Sequence, residues 1–396
     1  VTARGAPVAA GDRVAPAAAA ALGLGRTVTH EHPELRCTLV DVEHEAQIAT
    51  ALAREIGASD GETQVAWRGG RRHAARLVRA PQPAPALAAG DYRLATKHPG
   101  TIDGIGPVAS ERRAPGPGEV EIEVRASGLN FRDVMSALGA YPGGPAALGA
   151  ECAGIVARTG DGVDGLRVGD RVMALASGAL RRFVSVDARC VAPAPPGVTL
   201  EQAATIPAVF LTAWYALRRL AGLRRGERLL VHAAAGGVGM AAVQIARWIG
   251  AEVLATASPP KWDAVRAMGV ERLASSRDAK FAVQFREAVG GVDVVLDALV
   301  GDLVDAGLSL LSPGGRFIEM GKGDVRDPAE VARAHPGVVY RAFDLFEVDR
   351  NEIAAMLREI AEAFAAGHLR PLPVRAFQLS EAEDAFRLMA QARHTG

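Results

Sequence analysis

Residues 227–258, ERLLVHAAAGGVGMAAVQIARWIGAEVLATAS, decide the fold. Leu229, Leu230 and Val231 form an apolar run that suits a strand covered on both faces, and the Ala/Val/Ile-rich stretch from Met240 onward suits a helix lying on it. Between them stands A-x-x-G-G-x-G, with Ala235, Gly236, Gly237, Val238 and Gly239 forming the bend. Missing side chains there allow a tight turn and let backbone N–H groups, helped by the helix dipole, approach a pyrophosphate. The glycine spacing alone is weak. A strand, turn, helix and second strand in that order within about 30 residues make it specific for a dinucleotide, against the alternative of a ligand-free glycine turn.

The residues about 20 positions further on choose between cofactors, because an acid there would accept the ribose 2′-hydroxyl of NAD. This chain has Thr256, Ala257 and Ser258. With no carboxylate to repel a 2′-phosphate, and with Lys261 shortly after and Arg277 in SSRD as cations able to approach it, NADPH is the expected cofactor. Either cation taken alone reads equally well as a solvated surface charge.

A chain of 396 residues is long enough for two or three domains, each with its own core. Its 45 basic residues balance 45 acidic ones, so no overall field draws it to nucleic acid or an anionic membrane. Hydrophobic residues reach 49 %, yet no stretch approaches the roughly 18 consecutive apolar residues of a membrane span. Cys37, Cys152 and Cys190 are scattered, which gives neither a disulfide framework nor a zinc cluster and suits a reducing, cytoplasmic setting. The opening VTARGAPVAA lacks the layout of a secretory signal, and a start at Val1 reads as a cut within a larger polypeptide.

Helical signals fall at 15–22 and 48–56, with a short apolar run at 37–42. The Pro/Ala-rich stretch APQPAPALAAG then reads as an extended linker, placed at 83–91. VEIEVRASG alternates as a half-buried strand should, and short strands with Gly/Pro turns follow to about 194. A helix signal over 200–220 leads into the dinucleotide unit. Beyond it DVVLDAL and GGRFIEMG alternate with helical stretches, which implies a parallel sheet with crossover helices.

GLNFRDVMSALGAYPG, LGAECAGIV, GDRVMAL, TIPAVFLTAWYAL, AAAGGVGMAAVQIA and SPGGRFIEMGK, with their spacing, closely resemble the enoyl reductase domains of modular polyketide synthases, members of the medium-chain dehydrogenase/reductase superfamily. The likeness covers about three-quarters of the chain, from Tyr92 on. Upstream, GLGRTVTHEHPEL, TLVDVE and VAWRGGRRHAARL resemble part of the non-catalytic structural ketoreductase subdomain that precedes such reductases. The resemblance implies an α/β fold: an N-terminal α/β fragment at 1–82, a mainly β GroES-like substrate domain from 92–213 and 345–396, and an inserted Rossmann domain at 214–344. In relatives the segment after HTG would run on into a final strand.

The same resemblance implies reduction of an α,β-unsaturated thioester carried on an acyl carrier protein, beside neighbouring domains of the synthase, with NADPH as cofactor. Such a reaction needs a hydride at the β-carbon, donors near the thioester oxygen and a proton at the α-carbon. Zinc-dependent cousins carry a cysteine where this chain has Asn130 and a histidine where it has Ala150, so no catalytic zinc is expected. His232 and the other histidines show no ligand spacing.

Tyr141 in GAYPG matches a tyrosine that in related reductases bears on the face at which an α-methyl enolate is protonated; otherwise it is a packing residue before Pro142. Lys261 matches a lysine proposed as proton donor, which competes with its phosphate-binding reading. Relatives often have an acid where this chain has Lys280, with Asp278 two positions earlier, so this chain departs there from the pattern of a lysine–aspartate relay. Asn130, Arg132 and Asp133 lie on a segment that lines the nicotinamide cleft in relatives, Arg132 and Asp133 being expected to pair as ions. Thr212 matches a threonine near the nicotinamide, or is a helix hydroxyl bonded to its own backbone. Lys322 follows a strand end on the ligand side of the sheet. The alternatives are a free-standing quinone or enone reductase, and a non-catalytic NADPH-binding scaffold.

Overall fold

Six parallel strands, in the order β14-β13-β12-β15-β16-β17, carry the dinucleotide motif: β12 is Arg228–Val231, β13 Glu252–Ala257, β14 Arg272–Ser275, β15 Val292–Asp297, β16 Leu311–Glu319 and β17 Val339–Ala342. Counted from β12 this is the order 3-2-1-4-5-6, whose direction reverses between β12 and β15, where open α/β sheets place their ligands. Buried Leu229, Leu230, Val231, Val294, Val295 and Leu296 explain why both central strands read as unbroken apolar runs. The structure is a computed structural model and describes residues 1–9, 11–58, 60–76, 90–98, 100–142, 144 and 146–396.

The chain divides into two units, Val1–Pro81 and Gln82–Gly396. In the first, β1 (Thr2–Ala3), β2 (Leu39–Val42) and β3 (Gln64–Arg68) are parallel and β4 (Arg71–Ala74) closes the sheet antiparallel. Helices α1 (Pro16–Glu31) and α2 (Ile48–Ile56) contact this sheet, and Asp41, buried at its centre, accepts from Thr2, Gly5 and Arg68. The expected linker at 83–91 lies, apart from Gly90 and Asp91, outside the described residues.

The second unit opens with the hairpin β5 (Tyr92–Thr96) and β6 (Ile105–Ala109). An antiparallel five-stranded sheet follows, ordered β10-β7-β8-β9-β11, with β7 at Glu119–Gly128, β8 at Glu151–Thr159, β9 at Arg171–Leu175, β10 at Phe183–Asp187 and β11 at Val191–Pro193. Helix α3 (Phe131–Ala137) leads out of β7. The expected continuous helix over 200–220 is broken: α4 (Leu200–Ala203) stops, α5 (Pro207–Trp214) starts afresh, and a π-helical stretch runs over Tyr215–Leu220. Pro207 has no N–H to continue a helix from α4 and suits the first turn of a new one.

Helix α6 (Gly237–Ile249) packs between β12 and α5, its Ala241, Ala242, Val243, Ile245 and Ala246 fully buried. A later helix, over Arg350–Ala365, packs on α5 and β11, and Phe210 meets Phe364 edge to face at 5.0 Å. One apolar core thus runs from the antiparallel sheet through α5 and α6 to the parallel sheet, fixing the two sheets against each other.

Candidate active site

The bend between β12 and α6 uses its glycines differently from the expectation. The left-handed conformation falls on Ala233, at φ 52°, while Gly236 has an ordinary φ of −85°. Gly239 is required by close approach: a Cβ there would stand 2.6 Å from Ala233 O and 2.6 Å from Ala234 Cα. A Cβ at Gly237 would meet Val209 Cγ1 at 2.7 Å, whereas one at Gly236 would meet only Ala233 O, at 3.4 Å, and would fill the concavity in front of the helix. Gly236 as N-cap contributes no side-chain bond, and the first-turn N–H groups of Gly237, Val238 and Gly239 have no carbonyl behind them. This cradle fits a pyrophosphate in charge, size and N–H supply.

Around it, Gly396 N donates to Ala235 O at 3.1 Å, so the HTG tail runs beside the bend, which sequence reading did not suggest. Ser258 and Lys261 follow β13, and burial lowers the Lys261 ammonium from its ordinary value. Arg277, after β14, is exposed. Thr212 takes the plainer of its two readings, donating to Ala208 O at 2.7 Å within α5.

On the opposite wall, Asn130 and Asp133 are tied into the scaffold. Asp133 accepts from Asn130 N at 2.9 Å and from Gly149 N at 2.8 Å, fastening α3 to the loop before β8. Arg132 and Asp133 therefore do not form the expected ion pair. Asp133 turns inward to backbone donors, and Arg132 lies over the rings of Tyr141 at 5.0 Å and Phe346 at 4.1 Å. The Asn130 amide donates to Glu151 Oε1 at 2.8 Å and Ala208 N donates to Glu151 Oε2 at 2.8 Å. Burial pushes the Glu151 carboxyl up to about 7, and Asp133 up to about 6. The cysteine that follows, Cys152, is also fully buried and pushed up to about 12.

Tyr141 Oη donates to Asp344 Oδ2 at 3.4 Å, and the same oxygen lies 3.3 Å from Lys322 Nζ. Lys322 also donates to Phe343 O at 2.9 Å. Tyr141 comes from the loop after α3, Lys322 from the loop after β16 and Asp344 from the segment after β17, so both sheets contribute. Burial raises the Tyr141 phenol; Asp344, although burial opposes it, is held below the carboxylate range by Phe346 N–H and Lys322. Sequence reading found Tyr141 and Lys322 but missed Asp344. Its only sequence signal is a position just after an apolar strand that ends at the ligand side of the sheet.

The geometry can be set beside known proteins. Residues 1–77 match the Rossmann fold domain of the polyketide synthase extender module SpnB, 116–196 an alcohol dehydrogenase GroES-like domain, and 268–396 a family described as zinc-binding dehydrogenase. The CurK enoyl reductase superposes with a TM-score of 0.74 at 39 % identity, covering 77 % of this chain and 97 % of that one. The chain belongs to the enoyl reductases of modular polyketide synthases. This enoyl reductase is also 50 % identical over 388 residues to the Streptomyces orinoci spectinabilin synthase protein NorB, across 96 % of its own length but only 18 % of NorB. The Escherichia coli quinone oxidoreductase complexed with NADPH shares the fold more distantly, with 26 % identity, a TM-score of 0.70, and coverage of 77 % of this chain and 98 % of that one. The medium-chain reductase fold, with GroES-like and Rossmann parts, is as expected.

Proposed function

We propose that the cleft reduces an α,β-unsaturated acyl thioester, presented on an acyl carrier protein within a synthase, with NADPH and without a catalytic zinc. The observation that carries this reading is the Tyr141–Asp344–Lys322 cluster, a proton-bearing group from each sheet held on one carboxylate, with Lys322 and Asp344 at the same carboxyl-terminal edge of the parallel sheet as the glycine bend.

NADPH, when bound, supplies the hydride to the β-carbon. Gly236, Gly237, Val238 and Gly239 hold its pyrophosphate, with Ala235 forming the floor of the bend, and Ser258, Lys261 and Arg277 hold its 2′-phosphate. Lys322 Nζ bonds Phe343 O and Asp344, which leaves one of its three N–H groups free to face substrate and deliver a proton to the α-carbon. Tyr141 Oη shares Asp344 Oδ2 with Lys322, and there a phenol kept protonated by burial limits the face from which that proton arrives. Asp344 orients both donors.

A reading without zinc is supported by the donor set. Where zinc enzymes need two soft or imidazole ligands this chain offers an amide and a methyl group, and the amide of Asn130 is spent on Glu151. Among the described residues no His/Cys/Asp/Glu group has the arrangement of a metal site.

NADPH absorbance followed with crotonyl and 2-methylcrotonyl thioesters tests the reading. Turnover supports it. A folded sample that binds NADPH yet reduces neither thioester overturns it, and one that reduces only quinones replaces it with the quinone reductase alternative.

A further inference from the structure

Asp297 and Glu319 end the adjacent strands β15 and β16 in register with each other, so both side chains leave the sheet on the same side. Both are fully buried, at 0 % and 1 % exposure. Each has one oxygen satisfied by the loop that follows it: Leu299 N donates to Asp297 Oδ2 at 2.9 Å and Gly321 N donates to Glu319 Oε1 at 2.6 Å. The remaining two, Asp297 Oδ1 and Glu319 Oε2, have no donor from the rest of the chain.

Two buried carboxylates in contact cannot both stay ionised, and a proton between them supplies the one missing donor. The groups facing the pair add no cation. His232, after β12, stands 3.6 Å from Asp297 Oδ1, too far for a hydrogen bond; it bonds Thr256 through Nδ1 and is kept neutral by burial, which lowers it to about 3. From the loop after β16 comes Asp324, a further negative charge that Arg326 pairs at 3.1 Å. Tyr340 of β17 accepts from Arg326 N at 3.0 Å and makes no hydrogen bond to the two free acid oxygens. Burial first, and then the Asp297 charge, raises Glu319, making it the proton carrier.

The pair sits directly beneath the cleft. Glu319 O accepts from Phe343 N at 3.3 Å, Asp297 O accepts from Met320 N at 3.0 Å, and Gly321, anchored on the Glu319 side chain, precedes Lys322. A Cβ at Gly321 would come within 2.7 Å of Glu319 Oε1, so the loop is pressed onto the acid. We propose that Asp297 and Glu319 share a single proton, and that the shared-proton pair is the positioning element that fixes Lys322 and Asp344 in the cleft. Its link to the reaction rests on the function proposed above; the shared proton does not.

Infrared difference spectra of the full 396-residue chain, taken from neutral to alkaline pH with and without NADPH, test the proton directly. A protonated-carboxyl band at neutral pH that disappears in Glu319→Gln is the expected result; its absence from the unsubstituted protein overturns the proposal whether or not the protein turns over. For positioning, Glu319→Ala is expected to lower kcat by about tenfold to a hundredfold with little change in KM for NADPH. Glu319→Gln, whose amide can donate to Asp297 and whose carbonyl can accept from Gly321, is expected to restore most of that rate and remove the alkaline decline attached to the shared proton. An unchanged alkaline limb in Glu319→Gln, or full activity in Glu319→Ala, overturns the positioning role.

Discussion

Asp344 Oδ2 stands 3.3 Å from Lys322 Nζ and carries the ammonium that the parallel sheet sends into the cleft. Replacing Asp344 with Ala leaves Lys322 bonded to Phe343 O but free to swing, and leaves Tyr141 without its acceptor. The expected outcome is a kcat lower by about a hundredfold, with KM for NADPH within about twofold, read from steady-state kinetics. A loss confined to KM would move Asp344 from proton handling to binding.

Tyr141 gives a second prediction, in product geometry instead of rate. Its ring lies against Arg132 and its hydroxyl on Asp344 Oδ2, the oxygen that Lys322 Nζ also approaches. Tyr141→Val removes the phenol and keeps an apolar filler, so the proton-bearing face opens. Chiral analysis of the product from a 2-methyl enoyl thioester is expected to show a changed α-methyl configuration with less than about a tenfold change in rate. Unchanged configuration assigns Tyr141 to packing.

The glycine bend separates packing from binding. Gly239→Ala forces a Cβ within 2.6 Å of two backbone atoms, and the expected cost is about 1–3 kcal/mol of stability, seen as a lower thermal midpoint without ligand. Gly236→Ala meets only Ala233 O, at 3.4 Å. It is expected to fold normally and to weaken NADPH binding in calorimetry by tenfold or more, on the order of a lost charge-assisted hydrogen bond.

How much of this was legible beforehand depends on the range of the interaction. Strand, bend and helix at 228–249 are written locally, in an apolar run, three glycines and a second run, and the structure forms them there. What failed was the use of each residue. A tight turn favours glycine, yet here Ala233 takes the left-handed position, because the glycines are needed where backbone and Val209 press close. Likewise, sequence neighbours of opposite charge suggested an Arg132–Asp133 pair. Adjacent residues on a helix do not face each other, and Asp133 found unsatisfied N–H groups at Asn130 and Gly149 instead. Asp344 was illegible for a third reason: its partners stand 22 and 203 positions away by sequence number, from Lys322 and Tyr141, and only the fold joins them.

Cofactor preference makes a prediction at the ends of β13 and β14. Lys261→Ala and Arg277→Ala are each expected to raise KM for NADPH by roughly tenfold while leaving that for NADH within about twofold, since only a 2′-phosphate distinguishes the two. Parallel measurements with both coenzymes check this. An equal effect on the two would place Lys261 at the reacting end of the cofactor and return it to the list of proton donors.

The last prediction concerns Glu151, where two effects oppose. Asn130 Nδ2 and Ala208 N both donate to its carboxyl, which favours the charged form, but complete burial and the nearby Asp133 charge disfavour it, and burial is the larger effect. The native carboxyl is pushed up to about 7 from an ordinary 4.5, so the folded state holds a proton there that the unfolded state has released across that interval. Stability therefore falls as pH rises from about 4.5 to about 7. A displacement of that size corresponds to roughly 3 kcal/mol, with Asp133 adding to the same slope. Glu151→Gln cannot ionise, so its thermal midpoint is expected to change less over that range, at a constant cost of about 1–3 kcal/mol because its amide turns a donor toward either Asn130 or Ala208. Thermal melts of both proteins across the interval decide it: parallel curves would mean that Glu151 is ionised in the native cleft wall throughout, and that Asn130 and Ala208 outweigh burial.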